Sequence, residues 1–182
     1  MAGRGRPQMV QLAVAMLVLG VFAATFLWAG GWRFGGKTPD LAIGQPAPDF
    51  ELPDLAGEQV SLSRFRGQYV LLGFWASWCP SCREEMPSLE QFYREFAGPD
   101  LVLLNVNIGE SRDKVAAFAK KRDLTFPLLL DTGEKVRMLY GANLIPVFYL
   151  IDREGRIAAR YLGLRDWSSD EVRQEIAARM GR

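Results

Sequence analysis

The sequence predicts an α/β sandwich on a mixed sheet, preceded by one membrane-spanning helix. Three observations carry this expectation. From residue 43 onward, apolar runs of strand length alternate with stretches of helical periodicity. The chain then closes with a hairpin and a last helix, which adds antiparallel pairing to an otherwise parallel sheet. Ahead of all this, residues 7–32 hold no charged side chain.

The uncharged stretch has an apolar centre at residues 9–29, and about 20 apolar residues suffice for a helix to cross the hydrocarbon core. Trp28 and Trp32 suit the far interface, where an amphipathic ring is favoured. A buried core helix would carry a polar stripe, and only Gln11 and Thr25 are offered. A cleaved signal peptide would have a shorter apolar region and end in small residues, whereas the exit here runs through Phe26, Leu27 and Trp28. The expected organisation is a cytoplasmic tail over 1–8, an uncleaved signal-anchor helix over 9–31, a linker over 32–42 and a folded domain over 43–182. Arg4 and Arg6 before the helix are nearly balanced by Arg33 and Lys37 after it, so the charge rule for orientation is weak. The short tail and the thiol chemistry below place the domain outside the cytoplasm, on the periplasmic side.

Within the domain, Pro46 and Pro48 push their predecessors toward extended geometry, so residues 43–48 cannot be helical. Residues 49–52 and 59–62 flank 54–57 and read as a small hairpin or two paired extended segments. Residues 69–75, YVLLGFW, are a continuous apolar run, as a strand buried on both faces requires. A helix follows, with Met86, Leu89, Phe92, Tyr93 and Phe96 at helical spacing and charged residues mostly between them. Pro87 lies inside it without an N–H to donate and should kink it. Residues 101–106 are a second buried strand. Ser111 can cap a helix carrying Val115, Phe118 and Ala119. Residues 126–130 form a short strand and 133–140 a short helix closed by Gly141. Residues 147–151 and 156–161 pair as a hairpin across 152–155. Ser168, with Glu171 three residues on, reads as a capping box. It opens a last helix that turns Val172, Ile176 and Met180 to the sheet.

Composition narrows the chemistry by what is missing. The chain has no histidine, which excludes Ser-His-Asp and Cys-His catalysis and imidazole metal ligands. A formal net charge of +1 gives no concentrated basic face for nucleic acid. Only two cysteines occur, and both sit in Cys79-Pro80-Ser81-Cys82. A bridge across two residues constrains the unfolded chain very little, so the pair is there to react. Half of a zinc site is a poor alternative, because the remaining ligands could only be carboxylates. Arg83 stands where haem attachment would need histidine.

Placed where a buried strand turns into a helix, this pair has a specific meaning. The opening turn of a helix presents unsatisfied N–H groups and the positive end of its dipole. A thiolate there is stabilised, and its pKa falls from roughly 8.5 toward about 3.5–7. Cys79 is the expected attacking thiolate, and Cys82, one turn deeper, the group that resolves a mixed disulfide. Pro80 tolerates a first-turn position and adds rigidity.

The segment 74–87, FWASWCPSCREEMP, resembles the active-site segment of the thioredoxin superfamily and is most similar to that of the extracytoplasmic TlpA/ResA-like disulfide reductases, a group that includes cytochrome c maturation thioredoxins. Ala47-Pro-Asp-Phe50, the insertion around 126–140, and Leu144-Ile-Pro146 before a strand support the resemblance. It implies a thioredoxin-like three-layer sandwich with a mixed central sheet, an N-terminal extended or hairpin extension and a central insertion. It implies protein disulfides as substrates, a membrane-embedded electron donor, and no cofactor besides the Cys79–Cys82 pair itself.

The resemblance also implies that Pro146 is cis, with Ile145 offering main-chain contacts to an extended substrate segment. On the residues alone, an ordinary trans proline at a strand's first residue is the better reading. Glu85 matches the acidic residue that such reductases carry near the cysteines, where it could shuttle the proton of Cys82. A solvated helix glutamate like Glu84 fits the residues as well. Trp75 reads as core. Trp78 adjoins Cys79 and shapes the rim of a substrate-binding site with Pro80 and Ser81. One departure matters: thioredoxins bury an acid on the strand before the motif, and the matching position is Gly73. Proton management must differ, which raises the weight on Glu85, and the redox potential cannot be carried over.

Three other functions compete. A thiol peroxidase would need a threonine three residues before its reactive cysteine, and Ala76 stands there. A copper-delivery module is disfavoured, since two thiolates without histidine or a methionine cluster make a poor copper site. A disulfide-forming oxidant of the same fold is excluded least firmly.

Overall fold

A computed structural model of the protein describes residues 41–181. The tail, the anchor helix and most of the linker expected over 1–42 fall outside these described residues. Among the described residues, no helix is long and apolar enough to cross a membrane.

Two short strands, β1 (Glu51–Pro53) and β2 (Gln59–Ser61), pair antiparallel around a turn in which Asp54 accepts from the N–H groups of Ala56 and Glu58. Leu62, expected at the end of the second strand, instead opens a 3-10 turn, Leu62–Phe65, in which it alone is buried. The main body then runs β3 (Tyr69–Trp75), α1 (Pro80–Phe96), β4 (Leu101–Ile108), α2 (Arg112–Lys121), β5 (Leu128–Asp131), α3 (Lys135–Leu139), β6 (Val147–Ile151), β7 (Ile157–Leu162) and α4 (Asp170–Arg179). Its five strands lie in the order β5-β4-β3-β6-β7. β3, β4 and β5 are parallel, β6 runs antiparallel to β3, and β7 antiparallel to β6, so the sheet is mixed.

Strand alternation sorts the core into two faces. Leu71 and Trp75 of β3, Leu103 of β4 and Phe148 of β6 pack with Met86 and Leu89 of α1, Val115 of α2 and Ile176 of α4. On the other face Val70, Leu72, Phe74 and Val106 lie against Leu52, Leu62, Val136 and Tyr140. The sheet is thus covered on both sides, giving three layers. Each such fully buried side chain contributes about 1.5–3 kcal/mol, which explains why uninterrupted apolar runs are required in β3 and β6. Tyr140 ties the central insertion to the extended lead-in: its hydroxyl donates to the Pro48 carbonyl at 2.6 Å, and its own carbonyl accepts from the Tyr149 hydroxyl at 2.7 Å.

Several ends differ from expectation for identifiable reasons. The last helix is capped by Ser169, whose hydroxyl accepts from Val172 N–H at 3.4 Å. Ser168 is occupied elsewhere, since the Asp166 carboxylate accepts both its N–H and its hydroxyl. Ser111 stands at the N-cap of α2 without a side-chain cap bond. The short helix α3 starts later than expected because Asp131, at the end of β5, accepts from the N–H groups of Lys135 and Arg137 and performs the capping from a distance. Pro87 sits inside an unbroken α1. It has no N–H for the carbonyl of Arg83, and the Arg122 guanidinium donates to that carbonyl instead, at 3.4 Å.

Candidate active site

β3 carries the chain up the centre of the sheet and releases it at Trp75, so the four residues that follow emerge at the end of the sheet. Cys79 is the N-cap of α1 in extended geometry, with Pro80 in the first helical turn. The Cys82 N–H donates to Cys79 Sγ at 3.2 Å. This is the contact that a helix opening offers an anion: a donor left over by the helix, aimed along its dipole. Cys79 and Cys82 form a disulfide with their Cα atoms 5.3 Å apart. Cys82 is fully buried, while Cys79 retains a sliver of exposure at 5%.

Across from the helix, the Ile145–Pro146 peptide bond is cis. Ile145 presents its carbonyl oxygen 3.7 Å from Cys79 Sγ. The Pro146 carbonyl is already used, accepting from Gly163 N–H at 2.9 Å. Trp78 is 59% exposed beside the cysteines, and Leu144 projects into solvent next to Ile145. Pro80 is also exposed and Ser81 partly so. The structure therefore brings Cys79, Cys82, Trp78, Pro80, Ser81, Ile145 and Pro146 to one end of the sheet. Trp75 lies wholly in the core, against Phe118.

Glu85 is not a solvated helix residue. It is 1% exposed, three residues past Cys82 on the helix, so the two are neighbours across one turn. Its carboxyl Oε2 accepts from the Trp167 indole N–H at 3.4 Å, and its Oε1 makes no hydrogen bond. Burial raises its pKa to about 8, with the Trp167 bond lowering it only in part. Glu84, by contrast, is exposed.

Glu110 is a site residue that the sequence does not reveal. Beyond the end of β4, its carboxylate accepts from the Ser77 N–H at 2.6 Å, the Ser77 hydroxyl at 2.7 Å and the Asn107 amide at 2.8 Å, and pairs with Lys114 Nζ at 2.6 Å. Burial would raise this carboxyl, but the donors from Asn107, Lys114 and Ser77 outweigh it and hold it at about 2. The loop delivering Trp78 and Cys79 is thereby tied to the neighbouring strand. No signal short of the fold links Glu110 to Ser77, since they are 33 residues apart.

The position matching thioredoxin's buried acid is also clear. A Cβ at Gly73 would fall 2.4 Å from Phe148 Cε1 and 2.5 Å from Asn105 Oδ1, so neighbouring strands fill the space a side chain there would need. Among the described residues, no cluster of His, Cys, Asp or Glu could hold a metal ion.

The comparisons with known proteins agree with this geometry. The model of the AhpC/TSA family matches residues 43–160. The chain belongs to the AhpC/TSA family. The chain is 38% identical over 147 residues to the thiol-disulfide oxidoreductase ResA of Geobacillus kaustophilus, covering 81% of this chain and 84% of that one. It is 39% identical over 139 residues to the thioredoxin-like protein YneN of Bacillus subtilis, covering 73% and 81%. Among solved structures, a thiol:disulfide interchange protein from Bacteroides sp. superposes with a TM-score of 0.68 at 27% identity, over 78% of this chain and 92% of that one. StoA from Bacillus subtilis does so at 0.62 and 27%, over 73% and 96%. This AhpC/TSA member is thus a ResA-like, thioredoxin-fold thiol–disulfide oxidoreductase, with Cys79 and Cys82 its only cysteines.

Proposed function

We propose that the protein reduces disulfides of other proteins outside the cytoplasm, held at the membrane by the helix expected over 9–31 and re-reduced there by a membrane-embedded electron donor. The observation that carries the reading is Cys79 Sγ at the helix opening, accepting the Cys82 N–H while lying 3.7 Å from the Ile145 carbonyl. In the reduced protein the Cys79 thiolate attacks one sulfur of the substrate disulfide, forming a mixed disulfide and expelling the other sulfur as a thiolate that takes up a proton. Cys82 then gives its proton to ionised Glu85 and attacks Cys79 Sγ. That attack breaks the mixed disulfide and expels the second substrate sulfur as a thiolate that takes up a proton, so the substrate leaves with two thiols, and Cys79 and Cys82 keep the disulfide until the donor returns two electrons. A base with a pKa near the working pH suits the second step, and Glu85 at about 8 is in that range. Ile145 supplies main-chain contacts to an extended substrate, with Trp78, Pro80, Ser81 and Pro146 forming the rim. The narrower reading, supported by the resemblance to cytochrome c maturation thioredoxins, places disulfides of cytochrome c precursors among the substrates.

Redox titration against glutathione tests direction: a reductase has a potential well below that of the strong oxidants, and a value near −120 mV sinks the proposal. A periplasm-dependent phosphatase fused to the C-terminus of the full chain tests location. Active fusions support an extracytoplasmic domain, and inactive ones contradict it.

A further inference from the structure

Trp167 is attached to the cysteine helix at two points. Its indole N–H donates to Glu85 Oε2 at 3.4 Å, and its backbone N–H donates to Ser88 Oγ at 3.2 Å. The Ser88 hydroxyl in turn donates to the Glu85 carbonyl at 2.9 Å. Backbone, side chain and indole thus close a small ring around residues 85 and 88 of α1. Trp167 is fully buried, and its rings pack against Phe148 at 4.4 Å, Tyr161 at 5.8 Å and Phe92 at 5.9 Å between centroids. An indole held this firmly has little rotational freedom, so it fixes the direction from which a proton donor meets the carboxyl.

We propose that Trp167 is a positioning residue for thiol–disulfide exchange: its indole N–H holds Oε2 of Glu85, leaving Oε1 to exchange the proton of Cys82. This rests on the reading of Glu85 given above. The division of labour is visible in the two oxygens, one bonded to the indole and one without a hydrogen bond although buried. A buried carboxyl oxygen left unpaired is costly, and a thiol that arrives during turnover is a partner that would relieve it.

Two groups act on this carboxyl as donors, the Trp167 indole on Oε2 and, more weakly, the Arg165 backbone. Glu85 borders a groove of about 450 Å³ with Glu84, Ser88, Leu164, Arg165 and Asp166. Cys82 and Glu84 are its titratable neighbours on α1, and Arg165 and Asp166 come from the segment after β7. The Arg165 guanidinium is turned away, lying 4.8 Å from the Tyr161 ring centroid and 3.4 Å from Glu175. The Arg165 backbone faces the carboxyl and lowers its pKa less than the indole does. Asp166 is spent on Ser168.

The experiment is Trp167→Phe, which keeps an aromatic ring and the backbone N–H to Ser88 while deleting the indole donor. Full-length reduced protein is assayed for reduction of insulin disulfides from pH 5 to 10, and the Glu85 carboxyl is titrated by 13C NMR. Losing a donor to the charged form raises the Glu85 pKa, so the rising limb should move up by about one pH unit, with roughly tenfold loss below the limb and little loss on the plateau. A purely structural role would lower the rate evenly at every pH. The same substitution made in a Glu85→Gln background should leave the profile of that background unchanged. An unmoved Glu85 titration in Trp167→Phe overturns the proposal, as does an equal displacement with Glu85 absent. A Glu85→Gln protein with the wild-type profile sinks the Glu85 reading itself, a result the NMR titration of Trp167→Phe keeps distinct from failure of the indole contact.

Discussion

Cys79 and Cys82 differ in what surrounds each sulfur, and the roles proposed for them rest on that difference. Cys79 is at the helix opening with a backbone donor on its sulfur, and Cys82 is sealed beneath it. Cys82→Ser should therefore accumulate a stable mixed disulfide on Cys79 with a disulfide-bonded substrate, detected as a mass adduct, whereas Cys79→Ser should form none and lose turnover. Glu85 makes a prediction about stability. The folded protein keeps the Glu85 proton up to about pH 8, while the unfolded chain releases it near 4.5. Its contribution is full below about 4.5 and declines as pH rises through 8, with a slope of up to about 1.4 kcal/mol per unit. Glu85→Gln should flatten that decline, read from urea midpoints between pH 5 and 8. Gly73→Ala should destabilise by about 1–3 kcal/mol, because a Cβ there meets Phe148 and Asn105 well inside contact distance. The cysteine pairing was legible because two cysteines in one motif leave no choice of partners. The surroundings of Glu85 were not, since Trp167 lies 82 residues away and only the packed fold joins them.

At the scale of elements, the strands were easier to read than the ends of helices. β3 and β6 are apolar at nearly every position and match the runs that predicted them. β4 continues past its apolar run because Asn107 is buried and donates to Glu110, a polar strand end that hydrophobicity cannot signal. The caps failed for a related reason. Ser168 and Ser169 are chemically equivalent, and Asp166 decides which of them is left to cap α4. The loop between β3 and α1 depends on one such polar contact, the Glu110 carboxylate on Ser77. Glu110→Ala should cost about 1–3 kcal/mol by stranding its donors. It should also slow turnover by loosening the approach to Cys79, checked by thermal unfolding beside the rate of disulfide reduction. Because Glu110 titrates at about 2, its support is present above about 4.5 and fails only as pH drops toward 2.

For the whole molecule, the sheet does the positioning. β3 delivers the cysteines, β4 anchors their loop through Glu110, and the segment entering β6 brings Ile145 opposite Cys79. Alternation of apolar runs with helical periods was enough to anticipate an α/β sandwich on a mixed sheet, and its three-layer form was what the resemblance implied. The leader is an account of a different kind, resting on the uncharged run over 7–32, and the fusion experiment above is its test. The central claim is that Cys79 is the attacking sulfur because the opening turn of α1 stabilises its anion. Timed alkylation of the fully reduced protein, with each cysteine resolved by mass spectrometry, addresses it most directly. Cys79 should be modified well before Cys82 at neutral pH; modification of Cys82 as fast as, or ahead of, Cys79 would contradict the account.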